Sequence, residues 1–136
     1  MIGVVVVSHG NIAKEMVRTV KDIVPETTQV AGVAIDSNEQ TQVNRQIIAS
    51  AIAEVNTDEG ILLLTDMFGG TPSNLCLSFL NTGNIEVVSG VNLPMLIKLS
   101  AERATRDLKT LATFMKEYGK KNIVIASEVL NGEMGE

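Results

Sequence analysis

Apolar residues along this 136-residue chain come as short unbroken runs, separated by stretches where they return every three or four positions. The first run, IGVVVVS at residues 2–8, is continuous and β-branched, which predicts a strand buried on both faces. Residues 11–24 then carry Ile12, Met16, Val20 and Ile23 at helical spacing, with Asn11 as N-cap and Pro25 as stop. VAGVAI at residues 30–35 reads as a second strand. Asp36-Ser37-Asn38 opens a second helix with Val43, Ile47, Ile48 and Ile52 on one face, ending near Val55. GILLLTD at residues 60–66 gives a third strand. Thr71 as N-cap and Pro72 at the first helical position start a helix running to about Leu80. IEVVSG at residues 85–90 is a fourth strand. Asn92 caps a helix beginning at Leu93-Pro94, and a further helix covers residues 105–118, stopped by Gly119. NIVIASEV at residues 122–129 reads as a fifth strand.

Strands alternating with helices at this rhythm imply an α/β fold: a doubly wound, mostly parallel open sheet covered by helices on both faces. The expectation is one domain over residues 1–130, followed by a loosely ordered tail at residues 131–136.

Strand order matters for function, because ligands of such sheets bind beyond the carboxyl ends of strands, where the winding reverses. In the common order 2-1-3-4, strands one and three meet across that reversal. Strand one ends in Ser8-His9-Gly10, and strand three in Thr65-Asp66, followed by Met67-Phe68-Gly69-Gly70-Thr71-Pro72. The only histidine of the chain would then sit beside one carboxylate at the mouth of a shared crevice.

A lone histidine at a strand end is more often structural than catalytic, and an aspartate there is often a turn residue. Their pairing changes the reading. An aspartate accepting from Nδ1–H fixes the imidazole tautomer, leaves Nε2 as nucleophile and stabilises the positive charge that grows on the ring. The surroundings favour an anion. Gly10-Asn11 leads into one helix N-terminus and Gly69-Gly70-Thr71 into another, offering unpaired amides to phosphate. The hydroxyls of Ser8, Thr65, Thr71 and Ser73 can add donors. Met67 and Phe68, on a loop at the rim, read as a contact patch. Gly90-Val91-Asn92-Leu93-Pro94 is an adequate strand-to-helix loop by itself and falls on the same rim. Cys76, among apolar helix neighbours, reads as a packing residue.

Composition narrows the field by exclusion. A net charge of −5 argues against a nucleic-acid surface. One cysteine makes no internal disulfide, and one histidine with one cysteine is too little for an ordinary zinc site. The leading apolar run is too short to cross a bilayer and lacks the basic start of a signal peptide, so a cytoplasmic location is expected. There is no GxxxxGK[ST] and no GxGxxG after strand one, so no nucleotide or dinucleotide cofactor is expected. The phosphoryl donor is then another protein or a small phosphate compound.

Three segments in order, VVSHGNIAKEM, LLLTDMFGGTPSN and VVSGVNLPML, resemble the mannose-type enzyme IIA domains of the bacterial phosphoenolpyruvate:sugar phosphotransferase system. The resemblance implies that His9 accepts a phosphoryl group at Nε2 from the phosphocarrier protein and passes it to a sugar-specific enzyme IIB, which works with the membrane permease. It implies that Asp66 orients His9 and that Gly69, Gly70 and Thr71 are the family's glycine-glycine-hydroxyl segment. Met67, Phe68, Asn92, Leu93 and Pro94 are then expected at the partner interface. It also implies a homodimer in which a last, antiparallel strand is exchanged between subunits. Some members carry tryptophan where this chain has Phe68, and some continue through an Ala/Pro-rich linker into a IIB domain. Three other readings compete: the IIA-like part of the dihydroxyacetone-kinase phosphotransferase, a binding module switched by His9 phosphorylation, and a small-molecule hydrolase using His9 and Asp66.

Overall fold

Val4, Val5, Val6 and Val7 have no solvent exposure at all. A strand achieves this only when helices cover both faces of its sheet. The computed structural model describes residues 1–132. Its elements follow in the order β1 (Gly3–His9), α1 (Ile12–Ile23), β2 (Val30–Ile35), α2 (Thr41–Val55), β3 (Ile61–Thr65), α3 (Thr71–Leu77), β4 (Ile85–Ser89), α4 (Leu93–Glu102), α5 (Leu108–Lys121) and α6 (Ala126–Leu130). Four strands form one parallel sheet in the order β2-β1-β3-β4, as the alternation of elements predicts. Of the tail expected at residues 131–136, residues 133–136 lie outside the described residues.

Two cores flank the sheet. Val4, Val6, Leu62 and Leu64 pack with α1, α4 and α5 on one face. Val5, Val7, Val33 and Leu63 pack with α2 and α3 on the other. The helix stripes differ from those the spacing suggests. In α1 the buried residues are Ala13, Val17 and Val20, while Ile12 and Ile23 stay exposed. In α2 they are Asn44, Ile48, Ala51 and Val55, with Val43 and Ile47 outside. In both helices a small residue lies against the sheet, which lets the helix approach closely. A reading that scores only large apolar side chains therefore turns the face by about one residue.

Several helix ends also move. α2 begins at Thr41 after Gln40, because Asp36 closes a turn by accepting from Asn38 N–H at 2.9 Å. Gly70, rather than Thr71, is the N-cap of α3, and the helix ends at Leu77 in a turn. α5 starts at Leu108, where the Asp107 carboxylate accepts from Thr110 N–H at 2.8 Å. Gly119 does not stop that helix. It is buried within it, where a Cβ would come within 2.7 Å of Met95 Sδ, so its smallness serves close packing of α5 on α4.

The fifth strand expected at residues 122–129 does not form within the single chain. Residues 123–125 have no ladder partner, and Ala126–Leu130 is a short helix. The cause is physical: a strand needs a neighbour for its amides and carbonyls, and this segment lies on no sheet edge of its own chain. Ile123 is left 78% exposed, with Val124, Ile125 and Leu130 also outside.

At the amino ends of the strands, Arg103 is 2% exposed and donates to the carbonyls of Ile2, Thr28 and Gln29. Burial pulls its guanidinium down to about 10. This pin holds the floor of the sheet, leaving the carboxyl ends to carry the site. Among the described residues, no helix is long and apolar enough to cross a membrane.

Candidate functional site

The ladder between β1 and β3 ends at Val7 and Thr65. The two strands diverge there, and His9 and Asp66 emerge into the gap. His9 Nδ1 lies 2.8 Å from Asp66 Oδ2, which also accepts His9 N–H at 3.0 Å. Asp66 Oδ1 accepts Met67 N–H at 3.0 Å. The carboxylate therefore receives donors at both oxygens. Partial burial pushes the Asp66 carboxyl up, but these hydrogen bonds and the nearby imidazole outweigh it, holding the group below its ordinary value. Its side chain is 15% exposed, against 42% for His9. The arrangement is a half-buried acid beneath an accessible ring.

The other edge of the ring faces Gly70. A Cβ built there would lie 2.7 Å from His9 Cε1 and 3.0 Å from Nε2. Only glycine lets the start of α3 come this close to the free nitrogen. The first backbone bond of α3 runs from Asn74 N–H to the Gly70 carbonyl at 2.9 Å, so the amides ahead of it are not used within the helix. Gly69 supplies the turn with φ +92°. Thr71 is exposed beside it.

On the α1 side the picture differs from expectation. Gly10 takes φ +52° to make the turn, and its N–H is committed to the Ile35 carbonyl at 3.2 Å. Its contribution is conformational. Asn11 occupies the N-cap position without a capping bond, so its exposed amide is free to reach a ligand. Ser8 does the capping instead, its Oγ accepting from Ala13 N–H at 2.7 Å. The five-residue span is not the usual capping spacing, which hides this role from a sequence reading. The Ser8 and Thr65 hydroxyls are fully buried and structurally occupied. Thr65 Oγ1 lies 2.7 Å from Ser89 Oγ and donates to the Met67 carbonyl at 3.3 Å, tying the Asp66 loop to β4. The signal for this tie is that two neighbouring strands both end in a hydroxyl residue, in register. Ser73 is buried with no hydrogen-bond partner. Of the four hydroxyls suggested by sequence, Thr71 alone is exposed.

Around the opening, Met67 is 54% and Phe68 72% exposed. Leu93 joins Ile12 and Met16 in lining a shallow apolar groove of about 610 Å³ next to Asn11. Helical spacing alone assigns Ile12 and Met16 to the core. Asn92 and Pro94 are half-buried. The Asn92 side chain accepts from Met95 N–H at 3.2 Å and donates to the Gly119 carbonyl at 3.1 Å, which fixes the shape of the rim. Cys76 is buried, and burial, with Asp66 adding repulsion, pushes its thiol up to about 12. Among the described residues no cluster of His, Cys, Asp and Glu could hold a metal.

Comparisons with known proteins point to one family. The family model described as PTS system fructose IIA component matches residues 3–116. The chain is 28% identical over 131 residues to the PTS system fructose-specific EIIA component of Bacillus subtilis, covering 96% of this chain and 90% of that protein. It is 26% identical over 124 residues to the PTS system mannose-specific EIIAB component of Escherichia coli, covering 90% of this chain but only 38% of that longer relative. Among solved structures, the PTS IIA protein associated with the fucose utilization operon from Streptococcus pneumoniae superposes with a TM-score of 0.81 at 26% identity, covering 95% of this chain and 96% of that one.

Proposed function

The chain belongs to the mannose-type enzyme IIA family of the sugar phosphotransferase system, a phosphoryl-relay component of sugar uptake, and on that premise we propose that His9 Nε2 is the atom that carries the phosphoryl group. One observation supports this above all: Asp66 engages Nδ1 while the Nε2 edge faces Gly70 at the start of α3. The relay resides in one domain over residues 1–130.

The chemistry follows from that orientation. With the proton on Nδ1, donated to Asp66, the Nε2 lone pair forms a bond to phosphorus. The bond from phosphorus to the donor breaks, and the donor atom keeps its electron pair. The ring gains positive charge as this happens, and the ionised Asp66 stabilises it. The protein's contribution is positioning and electrostatics, as is general for phosphoryl transfer. The Gly69, Gly70 and Thr71 amides, the Thr71 hydroxyl and the Asn11 side chain receive the phosphoryl oxygens, and Gly10 sets the turn beneath them.

The phosphocarrier protein is the donor and an enzyme IIB the acceptor, each docking on Met67, Phe68, Leu93 and Pro94 around the opening. The permease is reached only through IIB, and the protein works in the cytoplasm. Relatives differ in the sugar their names carry, fructose for one and mannose for another. That fits a domain that meets proteins rather than sugar. Ile123, the first of the exposed residues Ile123, Val124 and Ile125, lines a groove of about 630 Å³ along the free edge of β4. These residues are the segment exchanged in a homodimer, adding an antiparallel strand there.

Incubation with phosphoenolpyruvate, enzyme I and the phosphocarrier protein gives an acid-labile phosphate on His9, which then passes to IIB. Equal labelling of His9→Ala would refute the assignment. Sedimentation gives a dimer that Ile123→Glu with Ile125→Glu converts to monomer; a wild-type monomer at micromolar concentration would remove the exchange.

A further inference from the structure

The free edge of β2 lies away from both the His9 site and the β4 edge, and the relay uses none of its features. Val4 N–H donates to the Gln29 carbonyl and Gly10 N–H to the Ile35 carbonyl. Within the parallel register between them, the odd-numbered residues of β2 therefore bond to β1. Val30, Gly32 and Ala34 turn their amides and carbonyls outward. They floor a groove of about 630 Å³.

Its two walls differ in chemistry. On the α1 side stand Lys14, Arg18 and Lys21, at positions that share one helix face. Arg18 is paired with Glu15, and neither lysine has an ion-pair partner among the described residues. On the α2 side stand Ile47, Ser50 and Ala51, with Glu54 the one acid among the lining residues. Ile47 is exposed, and so is Val43 one turn before it. A basic wall on one face of the sheet thus opposes a mixed wall on the other, where Ile47 and Ala51 are the apolar positions and Glu54 the one acid, in a chain whose net charge is −5.

We propose that this edge accepts an extended segment of a partner protein as an added strand, with acidic residues alternating with apolar ones. The alternation follows from strand geometry: successive side chains would point to the α1 wall and to the α2 wall in turn. Acidic positions meet Lys14, Arg18 and Lys21, and apolar positions meet Ile47 and Ala51. A second copy of this chain is the wrong occupant. Joined antiparallel through this edge, two copies would set basic wall against basic wall on one face, the arrangement by which lysines protect open edges from self-pairing. The six residues of β2 give a footprint of about 20 Å.

The test uses the intact protein and three fluorescein-labelled peptides: Glu-Val-Glu-Ile-Glu-Val, the same sequence with lysine for glutamate, and the acidic sequence with a central proline. Anisotropy should show the acidic peptide binding at least about tenfold more tightly than either other, and weakening with salt. Amide exchange should slow at Gly32 and Ala34 but not at Ala31 or Val33, which the ladder already protects. Lys14→Glu with Lys21→Glu changes only exposed side chains, and should weaken the acidic peptide by at least about tenfold, with Tm lowered by no more than about 2–4 °C because Lys21 lies in the last turn of α1. Equal binding of acidic and basic peptides would overturn the proposal. So would no acidic-peptide binding at about 1 mM, unchanged exchange at Gly32 and Ala34, or undiminished affinity in the lysine variant. Protection of those amides by self-association, or equal competition by a thymidine oligonucleotide, would also overturn it.

Discussion

Replacing Asp66 with asparagine keeps the shape of the side chain and removes its charge, which isolates the orienting role. Three N–H groups converge on the native carboxylate: His9 N–H and Nδ1–H on Oδ2, and Met67 N–H on Oδ1. An asparagine has one oxygen for these donors, so one amide edge must face a donor. If the oxygen serves His9, Met67 N–H loses its acceptor, at roughly 1–3 kcal/mol of stability. If it serves Met67, the amide N–H₂ faces the ring, and the imidazole accepts at Nδ1 by moving its proton to Nε2. That blocks the nucleophile. Loss of the tautomer and of the carboxylate charge together is expected to slow phosphorylation by about 10²–10⁴-fold, equivalent to roughly 3–5.5 kcal/mol of barrier. Rapid-quench transfer from labelled phosphocarrier measures the rate, and ¹⁵N shifts of the His9 ring report the tautomer. A variant within threefold of wild type, with its proton still on Nδ1, would refute the reasoning. The acid side gives an independent check. Because the folded Asp66 carboxyl is held below its ordinary value, its stabilising contribution is complete above the unfolded value of ~3.9. It is lost as pH falls through the lower, folded value. The difference in Tm between wild type and Asp66→Asn should therefore shrink as pH falls below about pH 4.

Gly70→Ala places a methyl 2.7 Å from His9 Cε1; the ring must shift, and phosphorylation is expected to fall by at least about 10²-fold in a quench assay. Unchanged transfer would mean that the α3 start plays no part in presenting Nε2. Arg103→Ala takes the guanidinium from the carbonyls of Ile2 and Thr28 and leaves that of Gln29 with Val4 N–H alone, so denaturant titration should show a loss of roughly 2–5 kcal/mol. Phosphorylation at 25 °C should persist wherever the variant is still folded. Native Cys76, with its thiol pushed up to about 12, should resist a disulfide reagent at pH 8 and react on unfolding. Fast labelling of the folded protein would contradict its burial.

The strands and their order were legible because unbroken apolar runs of this kind suit doubly covered strands, and because connectivity restricts the winding. His9 and Asp66 were legible for the same reason: each ends one of the two strands that flank the reversal. The functions of the intervening hydroxyls were not. Ser8 and Thr65 look like donors to a ligand, yet one caps α1 from five residues away and the other ties the Asp66 loop to Ser89. Both roles arise from tertiary register, which residue spacing does not contain. Ile12 shows the same limit from the apolar side: with Ala13 taking the buried place, a residue that spacing puts in the core reaches the rim of the site instead. Residues 122–129 carry the apolar pattern of a strand, but their own chain offers them no sheet neighbour, and such a pattern does not contain that information.

The composition of the site bears on why it can give a phosphoryl group as well as take one. Arginine or lysine clamps bind phosphate strongly through charge-assisted bonds, which would favour capture over release. Here the charged group bonded to His9 is Asp66, and it lies on the far side of the ring from Nε2. The donors available to the phosphoryl oxygens are neutral amides and a hydroxyl. Such donors orient the group without neutralising it. Asp66 stabilises the positive charge that the ring gains as a phosphoryl group arrives and gives up as it leaves, so its effect is on the phosphorylated ring and on the transition states to either side of it. The basic cluster of Lys14, Arg18 and Lys21 faces the β2 groove. On the proposed assignment of His9, no cation among the described site residues favours capture, and the partners set the direction of transfer.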